Sequence, residues 1–169
     1  MQSAWTVHES PLGPLTLVAG PQGLTDLRFP GHGRVPREAT ERPLAGVTEQ
    51  LDAYFAGEGE GFDLDLDLRG TDLETAVWRQ LLEIPYGETA GYGELAARID
   101  PELFGPGVEP WQRARVVGAV NGRNPIAIVV PCHRVIGADG SLVGYGGGLE
   151  RKRALLELER RGSEPATLF

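Results

Sequence analysis

Cysteine is nearly absent from this chain, because Cys132 is the only one among its 169 residues. A lone cysteine cannot form an internal disulfide, which favours a reducing compartment, and we expect a cytoplasmic protein. Histidine is scarce as well, and His8, His32 and His133 are scattered along the chain. No two of these four side chains have the spacing of zinc ligands, so we predict no metal site. We interpret His8 and His32 as ordinary surface residues.

Long hydrophobic runs are also missing. No apolar stretch approaches the roughly 20 residues that cross a bilayer, which excludes a membrane helix. The N-terminus, MQSAWTVHES, has neither the basic start nor the apolar stretch of a secretory signal. The hydrophobic share of 41% and the charged share of 24% are ordinary for a globular protein, and the chain is long enough to bury a core.

Basic residues are in the minority, and the net charge is −8 at pH 7. Taken as a whole, this charge argues against a nucleic-acid binder. The distribution changes that conclusion, since residues 1–70 and 71–110 each carry a net charge of −6 whereas residues 111–153 carry +5. The basic residues of the last range are Arg113, Arg115, Arg123, Arg134, Arg151, Lys152 and Arg153. A basic segment on an acidic body can bind phosphates locally.

Residues 1–70 have the pattern of an α/β domain. Turn residues separate three predicted short strands, at 3–8, 14–19 and 24–29. Apolar residues then recur at helical spacing over 43–56, and residues 62–68, FDLDLDL, alternate strictly. The alternation predicts a strand that buries its phenylalanine and leucines and turns its aspartates to solvent.

Residues 71–162 have the pattern of a mostly helical second domain, followed by a tail at 163–169. TDLE (71–74) is a predicted capping box, with Thr71 as the N-cap of a helix that runs to about Glu83. Further helices are predicted at 92–99, 110–121 and 149–161, a buried strand at 126–130, and a hairpin around GADG at 137–140. Three helices followed by a hairpin are compatible with a winged helix-turn-helix.

PCHRVI (131–136) places the sole cysteine beside a histidine, directly after the predicted buried strand. A cysteine has to become a thiolate to attack, and a nearby imidazole can take its proton. Adjacent residues on an extended chain point in opposite directions, so a water molecule would have to bridge Cys132 and His133. A buried, inert cysteine is the other interpretation, and the dipeptide alone favours it.

The last predicted helix supports a functional role for this pair. Its apolar arc is formed by Leu149, Leu155, Leu156 and Leu158. Glu159 falls near the middle of that arc, where a carboxylate is costly unless it is paired or hydrogen-bonded. Paired with His133, it would fix the tautomer of the imidazole and raise its basicity, which completes a set of nucleophile, base and orienting group. A Glu159 that reaches solvent or pairs with an arginine stays an alternative.

These motifs resemble those of the bacterial O6-alkylguanine-DNA alkyltransferases. The similarity covers nearly the whole chain and rests on SPLGPLTL (10–17), LDAYFAG (51–57), VWRQLLEIPYGETAGYGELA (77–96), NGRNPIAIVVPCHRVIG (121–137) and GYGGGLERKRALLELE (144–159). The resemblance implies an N-terminal ribonuclease H-like α/β domain without catalytic activity and a C-terminal winged helix-turn-helix alkyltransferase domain. It also implies direct-reversal DNA repair, in which the O6-alkyl group of a flipped-out guanine moves irreversibly and stoichiometrically to a cysteine.

By this resemblance, Cys132 is the alkyl acceptor, His133 is the base that acts through water, and Glu159 is the partner of that histidine. Asn124 matches an asparagine that bonds backbone at the bend before the active-site strand. No cofactor is implied, and the thioether product, which water does not cleave, makes each molecule act once. Whether O4-alkylthymine is accepted, and which alkyl group is preferred, stays open.

The same resemblance implies a double-stranded DNA partner that carries O6-alkylguanine and is bound by a monomer; whether molecules cluster along DNA stays open. Tyr92 matches the tyrosine that rotates the nucleotide out of the duplex, and Arg115 the arginine that fills the gap. The expected wall of the base pocket is formed by Val135, Tyr145 and Gly146. Asn121 lies near the pocket and is polar enough to alter the substrate range, and Arg123 is either a phosphate contact or simply solvated.

Two other classes of function are weighed against this one. A protein that recognises DNA lesions without transferring anything is disfavoured because Cys132 is present, whereas alkyltransferase-like proteins replace the cysteine. A Cys-His hydrolase would need an oxyanion hole, for which the sequence gives no separate sign. The glycines of GYGGG lack the Gly-Lys-Ser/Thr ending of a phosphate-binding loop.

One segment departs from the family pattern. DPELFGPGVEP (100–110) lengthens the turn between the two helices of the predicted helix-turn-helix by several residues. It directly precedes the predicted recognition helix, which begins near Trp111. We hypothesise that this insertion alters DNA docking or admits adducts larger than methyl, which deletion of residues 101–108 would test.

Overall fold

The computed structural model describes residues 3–59, 61–142 and 145–164. The chain opens with a four-stranded sheet in the order β3-β2-β1-β4. Its strands are β1 (Ala4–Ser10), β2 (Gly13–Gly20), β3 (Gly23–Arg28) and β4 (Thr40–Glu41). The first three pair antiparallel, and β4 pairs in parallel with β1. The three strands predicted from the turn residues are confirmed, and β4 is an addition to them.

Helix α1 (Ala45–Phe55) packs against this sheet and confirms the helix predicted over 43–56. Its inward face buries Leu51 and Tyr54, at 0% and 1% exposure. Burial of two such side chains stabilises the packing by a few kcal/mol. The aromatic ring of Tyr54 also carries a hydroxyl group into the interior, which requires a hydrogen-bond partner there.

Residues 62–68 do not form the predicted strand. The segment crosses β3 at a single bridge, Leu24 to Leu66, held by hydrogen bonds from Leu24 N–H to the Asp65 carbonyl and from Asp67 N–H to the Leu24 carbonyl, both 2.9 Å. Its side chains still alternate, since the phenylalanine and leucines pack against the core. The crossing is close: a Cβ on Gly23, whose φ is +135°, would lie 2.4 Å from the Asp65 carbonyl oxygen, so only glycine fits there.

The second part of the chain contains four helices within the described residues: α2 (Asp72–Leu82), α3 (Tyr92–Ala97), α4 (Arg113–Asn121) and α5 (Leu149–Ser163). They confirm the predicted helices, except that the third begins as a 3₁₀ turn, Pro110–Gln112. The capping box is also confirmed, because the Thr71 hydroxyl accepts from Glu74 N–H at 3.1 Å and the Glu74 carboxylate accepts from Thr71 N–H at 3.0 Å. None of the helices in the described ranges is long and apolar enough to cross a membrane.

The buried strand predicted at 126–130 is wrong. These residues are buried, but apart from one bridge between Ile126 and Leu27 they form consecutive turns, and Ile128 has a φ of +70°. The Val130 N–H bonds to the Ile126 carbonyl at 3.0 Å, so the chain folds back on itself. The apolar run satisfies burial in either conformation, and the side chain of Asn124, described below, selects the turn.

Of the predicted hairpin around residues 137–140, the described residues form the turn. Gly137 N–H bonds to the Ser141 carbonyl at 2.9 Å, and Gly140 N–H bonds to the Gly137 carbonyl at 2.9 Å. Strand β6 (Val135–Ile136), which leads into this turn, pairs in parallel with β5 (Ala90–Gly91). Residues 143 and 144 of the predicted return strand and residues 165–169 of the predicted tail lie outside the described residues.

The 100–110 insertion is anchored in the core by Phe104. This residue ends a 3₁₀ turn, Pro101–Phe104, and is 7% exposed. The guanidinium carbon of Arg113, the first residue of α4, lies 5.6 Å from the centre of the Phe104 ring. The insertion is therefore packed against the start of α4. Deletion of 101–108 would remove a core side chain, Phe104, together with the loop.

Replacing Phe104 with alanine is expected to lower the free energy of unfolding by about 3 kcal/mol, because a buried aromatic ring is lost and a cavity is left. Urea denaturation followed by circular dichroism measures this change. Leu103→Ala is the matched control, since Leu103 is only half-buried beside it and should cost clearly less. Equal losses for the two variants would show that Phe104 does not anchor the segment.

Candidate active site

A cleft of about 480 Å³ contains Cys132 in its wall and lies where the two parts of the chain meet. The first part contributes β3 and the loop after it, including Phe29 and His32. The second part contributes the end of α4 and the segments on either side of β6. His32 is exposed, as predicted, but it faces the same cleft as the cysteine.

The thiol of Cys132 is protonated at neutral pH. The residue begins a 3₁₀ turn, Cys132–Arg134, and is 6% exposed. Burial raises the pKa of the thiol, although the side chains of Asn124 and Tyr145 and the charge of Lys152 act to lower it. Attack by this sulfur therefore requires a base that takes the proton during the reaction.

The carboxylate of Glu159 is the centre of a buried polar cluster. The residue is 1% exposed and contacts His133 Nε2 at 2.6 Å. The Tyr54 hydroxyl donates to the same carboxylate at 2.6 Å, and Arg134 donates to it twice, from Nε at 2.7 Å and from Nη2 at 3.1 Å. The helix position that indicated a buried glutamate is confirmed, and its two proposed partners, a histidine and an arginine, are both present.

The charges in this cluster define the state of His133. Burial would raise the pKa of Glu159, but hydrogen bonds from His133 and Arg134 lower it to about 2, so the group is a carboxylate. Burial lowers the pKa of His133, against the opposing effect of Glu159, so the imidazole is neutral at pH 7. Its Nε2 then carries the proton that it donates to Glu159. Its Nδ1 is buried without a hydrogen-bond partner among the described residues and carries a free lone pair.

Lys152 is a buried cation that the sequence analysis assigned to the basic surface. Its side chain is fully buried, and its Nζ donates to the Val135 carbonyl at 2.5 Å. Burial lowers the pKa of this lysine, while the nearby Cys132 raises it. The spacing of Lys152, Leu155 and Glu159 on α5 is the helical signal that could have identified it. Leu149, by contrast, is 44% exposed, so the prediction that it belongs to the buried face is wrong.

Two asparagines hold the backbone around the cysteine. Asn124 Nδ2 donates to the Val130 carbonyl at 2.8 Å, and Asn124 Oδ1 accepts from Ile126 N–H at 3.0 Å. These bonds close the 126–130 turn, in agreement with the backbone role expected for Asn124. Asn121 Nδ2 donates to the Cys132 carbonyl at 3.3 Å, while its Oδ1 is buried without a partner in the described part of the chain.

Tyr145 forms the aromatic side of the cleft. Its ring meets that of Phe29 edge to face, with 6.1 Å between centroids. A Cβ on Gly147 would lie 2.6 Å from Phe29 and 2.7 Å from Tyr145, so a glycine is required there. The Tyr145 hydroxyl is buried near Cys132 but has no hydrogen bond of normal geometry to any described residue. Gly146 also lines the cleft and places no side chain in it.

The remaining predicted residues lie at different distances from the cleft. Tyr92 is half-buried at the start of α3, and its ring lies 3.6 Å from the position that a Cβ on Gly118 would take. Arg115 is exposed on α4. Val135 is fully buried behind the cysteine and is absent from the residues that line the cleft. Arg123 Nε pairs with the Glu74 carboxylate at 3.0 Å, so its charge is already engaged.

The basic segment 111–153 is less basic at the surface than its sequence suggests. Arg134 and Lys152 are buried, and Arg151 donates to the Leu12 carbonyl at 3.1 Å and to the Gly147 carbonyl at 3.1 Å. Several of its charges therefore hold the two parts of the chain and the cysteine in place. Among the described residues, no group of three or more histidine, cysteine or acidic side chains is placed to hold a metal ion.

Two family models match the chain. Residues 72–161 match "6-O-methylguanine DNA methyltransferase, DNA binding domain", and residues 4–68 match "6-O-methylguanine DNA methyltransferase, ribonuclease-like domain". Together they extend over nearly all of the residues described above.

Relatives of known name agree with these matches. The chain is 55% identical over 164 residues to a methylated-DNA–protein-cysteine methyltransferase of Mycolicibacterium paratuberculosis, with 95% of this chain and 93% of that protein covered. It is 53% identical over 166 residues to the protein of the same name from Mycobacterium tuberculosis, with 95% of each covered. A crystal structure of Mycobacterium tuberculosis OGT in complex with DNA is similar at a TM-score of 0.81 and 52% identity, with 94% of each chain covered.

Proposed function

The chain belongs to the 6-O-methylguanine DNA methyltransferase family, and from this premise we propose that Cys132 is the residue that accepts the methyl group. The activity is that of the family, direct-reversal repair in which a methyl group leaves DNA for a cysteine of the protein. The fold is accordingly an N-terminal ribonuclease-like α/β domain followed by a DNA-binding domain. We place the boundary near residue 70 and the end of the second domain near residue 162.

The buried arrangement of Cys132, His133 and Glu159 carries the proposal. Neutral His133 presents a free lone pair on Nδ1 and is held in that tautomer by Glu159. The described residues contain no direct hydrogen bond between the thiol and the imidazole, so the proton passes from sulfur to Nδ1 through a bridging water molecule. The charge of Lys152 favours the thiolate that results.

The transfer itself is a displacement at carbon. The sulfur of Cys132 forms a bond to the methyl carbon as the bond between that carbon and guanine O6 breaks. The electron pair of the broken bond stays on the guanine, whose ring nitrogen takes up one proton. That proton balances the one that Cys132 gave to His133, and the product is an ordinary guanine. The thioether on Cys132 is stable in water, so each molecule acts once.

The substrate we propose is double-stranded DNA that carries O6-alkylguanine, bound by a monomer. A stacked guanine hides its O6 from the buried sulfur, so the nucleotide must rotate out of the duplex at a cost of a few kcal/mol. Tyr92 and Arg115 take the roles of rotating the nucleotide and filling the gap. Tyr145, Gly146 and the free Oδ1 of Asn121 receive the base in the cleft.

Mass spectrometry after incubation with an O6-methylguanine duplex tests the proposal. We expect the gain of one methyl group per protein molecule, located on the peptide that contains Cys132. Wild-type protein that stays unmodified, or that repairs many duplexes per molecule, would contradict it.

Tyr54 is proposed as a positioning residue that acts on the base through Glu159. Its hydroxyl donates to Glu159, and burial together with that carboxylate raises its pKa far above the ordinary value. In Tyr54→Phe, Glu159 loses one donor and interacts more strongly with protonated His133, so the pKa of His133 rises. The decline of the transfer rate on acidification should then begin at a higher pH than in the wild type, which single-turnover rates at several pH values measure.

Phe55→Leu is the control for this experiment. Phe55 packs edge to face on Tyr54, with 5.2 Å between ring centroids, but does not bond to Glu159. It should lower stability without moving the pH dependence. A Tyr54→Phe profile that coincides with that of Phe55→Leu would reduce Tyr54 to a purely structural role.

A further inference from the structure

Trp111 is the most exposed large apolar side chain among the described residues, with 74% of its surface open to solvent. Tryptophan is highly buried on average, and it is enriched among the residues that carry most of the binding energy at interfaces. The other two tryptophans are less exposed: Trp78 is 2% exposed and Trp5 is half-buried. We propose that Trp111 is a DNA-contact residue that packs on the sugar and base edges of the duplex; this rests on the proposed function.

The segment that carries Trp111 is held rigidly. Pro110 begins the 3₁₀ turn, and two hydrogen bonds close it: Gln112 Oε1 accepts from Glu109 N–H at 2.8 Å, and the Glu109 backbone carbonyl accepts from Gln112 N–H at 2.8 Å. The ring of Phe104 packs against the guanidinium group of Arg113, the residue that follows this turn. A backbone segment held in this way loses little conformational entropy when a partner binds the side chain that it carries.

The position of Trp111 connects it to the proposed DNA-binding face. Trp111 lies in the 3₁₀ turn that leads directly into α4, whereas Arg115 and Ala119 lie in α4 itself. The three follow one another at intervals of four residues and all are exposed, so they form one stripe along the turn and the helix. The buried residues of this helix, Val117, Val120 and Asn121, lie on its other side. Arg115 follows Trp111 by about one helical turn, a rise of roughly 6–7 Å across the 3₁₀ turn and the start of α4. This rise corresponds to roughly two base pairs along a duplex.

The chemistry of the stripe favours DNA over a protein partner. Arg115 supplies a positive charge that matches the phosphates, and Ala119 is small enough for the helix to approach a groove closely. The insertion itself is acidic, since Glu102 and Glu109 are both exposed, and Glu109 lies two residues before Trp111. Contact at this end of the helix therefore has to be made by the indole ring with sugars and base edges, because the carboxylate of Glu109 repels phosphate.

Binding to duplex DNA in the Cys132→Ser background, where the lesion is not consumed, tests the proposal. Trp111→Ala should weaken binding of lesion-containing and undamaged duplex by about tenfold, as for truncation of an aromatic contact at an interface, and Trp111→Phe should retain most of the affinity. The slope of log affinity against log salt should stay as in the parent, because no phosphate contact is lost. Arg115→Ala should also weaken binding, because the residue that fills the gap in the duplex is lost, and it should in addition reduce that slope, because a positive charge beside the phosphates is removed.

Val7→Ala is the matched control, since Val7 is an exposed apolar residue, at 48%, on β1. Equal affinities for Trp111→Ala and Val7→Ala would overturn the proposal, and so would a Trp111→Ala variant that loses self-association without DNA while its DNA affinity is unchanged.

Indole fluorescence provides a second measurement: DNA should protect the wild type from quenching by acrylamide, and this protection should vanish in Trp111→Phe. If the wild type takes up methyl while Trp111→Ala binds normally, only the assignment of Trp111 fails; if binding weakens but no methyl is taken up, only the proposed function fails.

Discussion

Cys132→Ser is expected to take up no methyl group from an O6-methylguanine duplex, under conditions in which the wild type is modified completely. Serine has nearly the same shape, so the fold and the hydrogen bond from Asn121 to the carbonyl of residue 132 should persist. The hydroxyl of serine is far less acidic than a thiol and far less nucleophilic towards carbon, even beside His133. Intact-protein mass spectrometry together with peptide mapping measures the result.

The same variant separates chemistry from binding. Its affinity for the lesion-containing duplex should equal that of the wild type or exceed it, because the complex no longer proceeds to a repaired product that dissociates. A thermal midpoint close to that of the wild type would show that the loss is not unfolding. Methyl uptake by Cys132→Ser at any other residue would overturn the assignment of the acceptor, since Cys132 is the only cysteine in the chain.

Local signals in the sequence predict the elements that depend on local physics. The turns around Gly13 and Gly23 separate the strands, and the capping box at Thr71 places the start of α2. The 126–130 run shows the limit of this approach. Its β-branched residues are typical of a buried strand, yet two hydrogen bonds from one side chain, Asn124, fold it into turns. Hydropathy patterns carry no information about such a bond.

The sequence predicts the part of the candidate site in which a polar side chain interrupts the apolar face of a helix. It does not predict the contacts between residues that are far apart in the sequence. Glu159 on an apolar face predicts the buried cluster correctly. Arg134 and Lys152 were counted in a basic segment that can bind phosphates, because net charge alone does not show which cations are buried. Both are buried, and pairing with a carboxylate or a carbonyl is what permits this. Tyr54 lies 105 residues from Glu159, in the other domain, and only the fold brings them together.

The His133–Glu159 pair also predicts how activity and stability depend on pH. Because the pKa of His133 is lowered, the imidazole stays neutral below the ordinary histidine pKa of 6.5, and the transfer rate should hold its plateau through that pH. The pKa of Glu159 is lowered to about 2 from 4.5 in the folded state. Its contribution to stability is therefore fully present above pH 4.5 and is lost as the pH falls towards 2.

Glu159→Gln is expected to slow methyl transfer by about 100-fold or more, because the base is no longer held in one tautomer and its protonated form loses the compensating charge. The same change leaves Arg134 buried without a carboxylate, which should lower the free energy of unfolding by about 3 kcal/mol. DNA affinity should stay nearly unchanged, since Glu159 is 1% exposed and faces the interior. Single-turnover rates at saturating duplex, urea denaturation and duplex binding measure the three effects.

Glu157→Gln is the matched control on the same helix. Glu157 pairs with Arg160 and Arg161 at the surface, away from His133, so its loss should leave the transfer rate unchanged and stability little affected. A Glu159→Gln variant that transfers as fast as Glu157→Gln would show that the carboxylate only neutralises Arg134. A slow Glu159→Gln variant whose rate recovers in Glu159→Asp would support a role for negative charge at this position in keeping His133 a competent base.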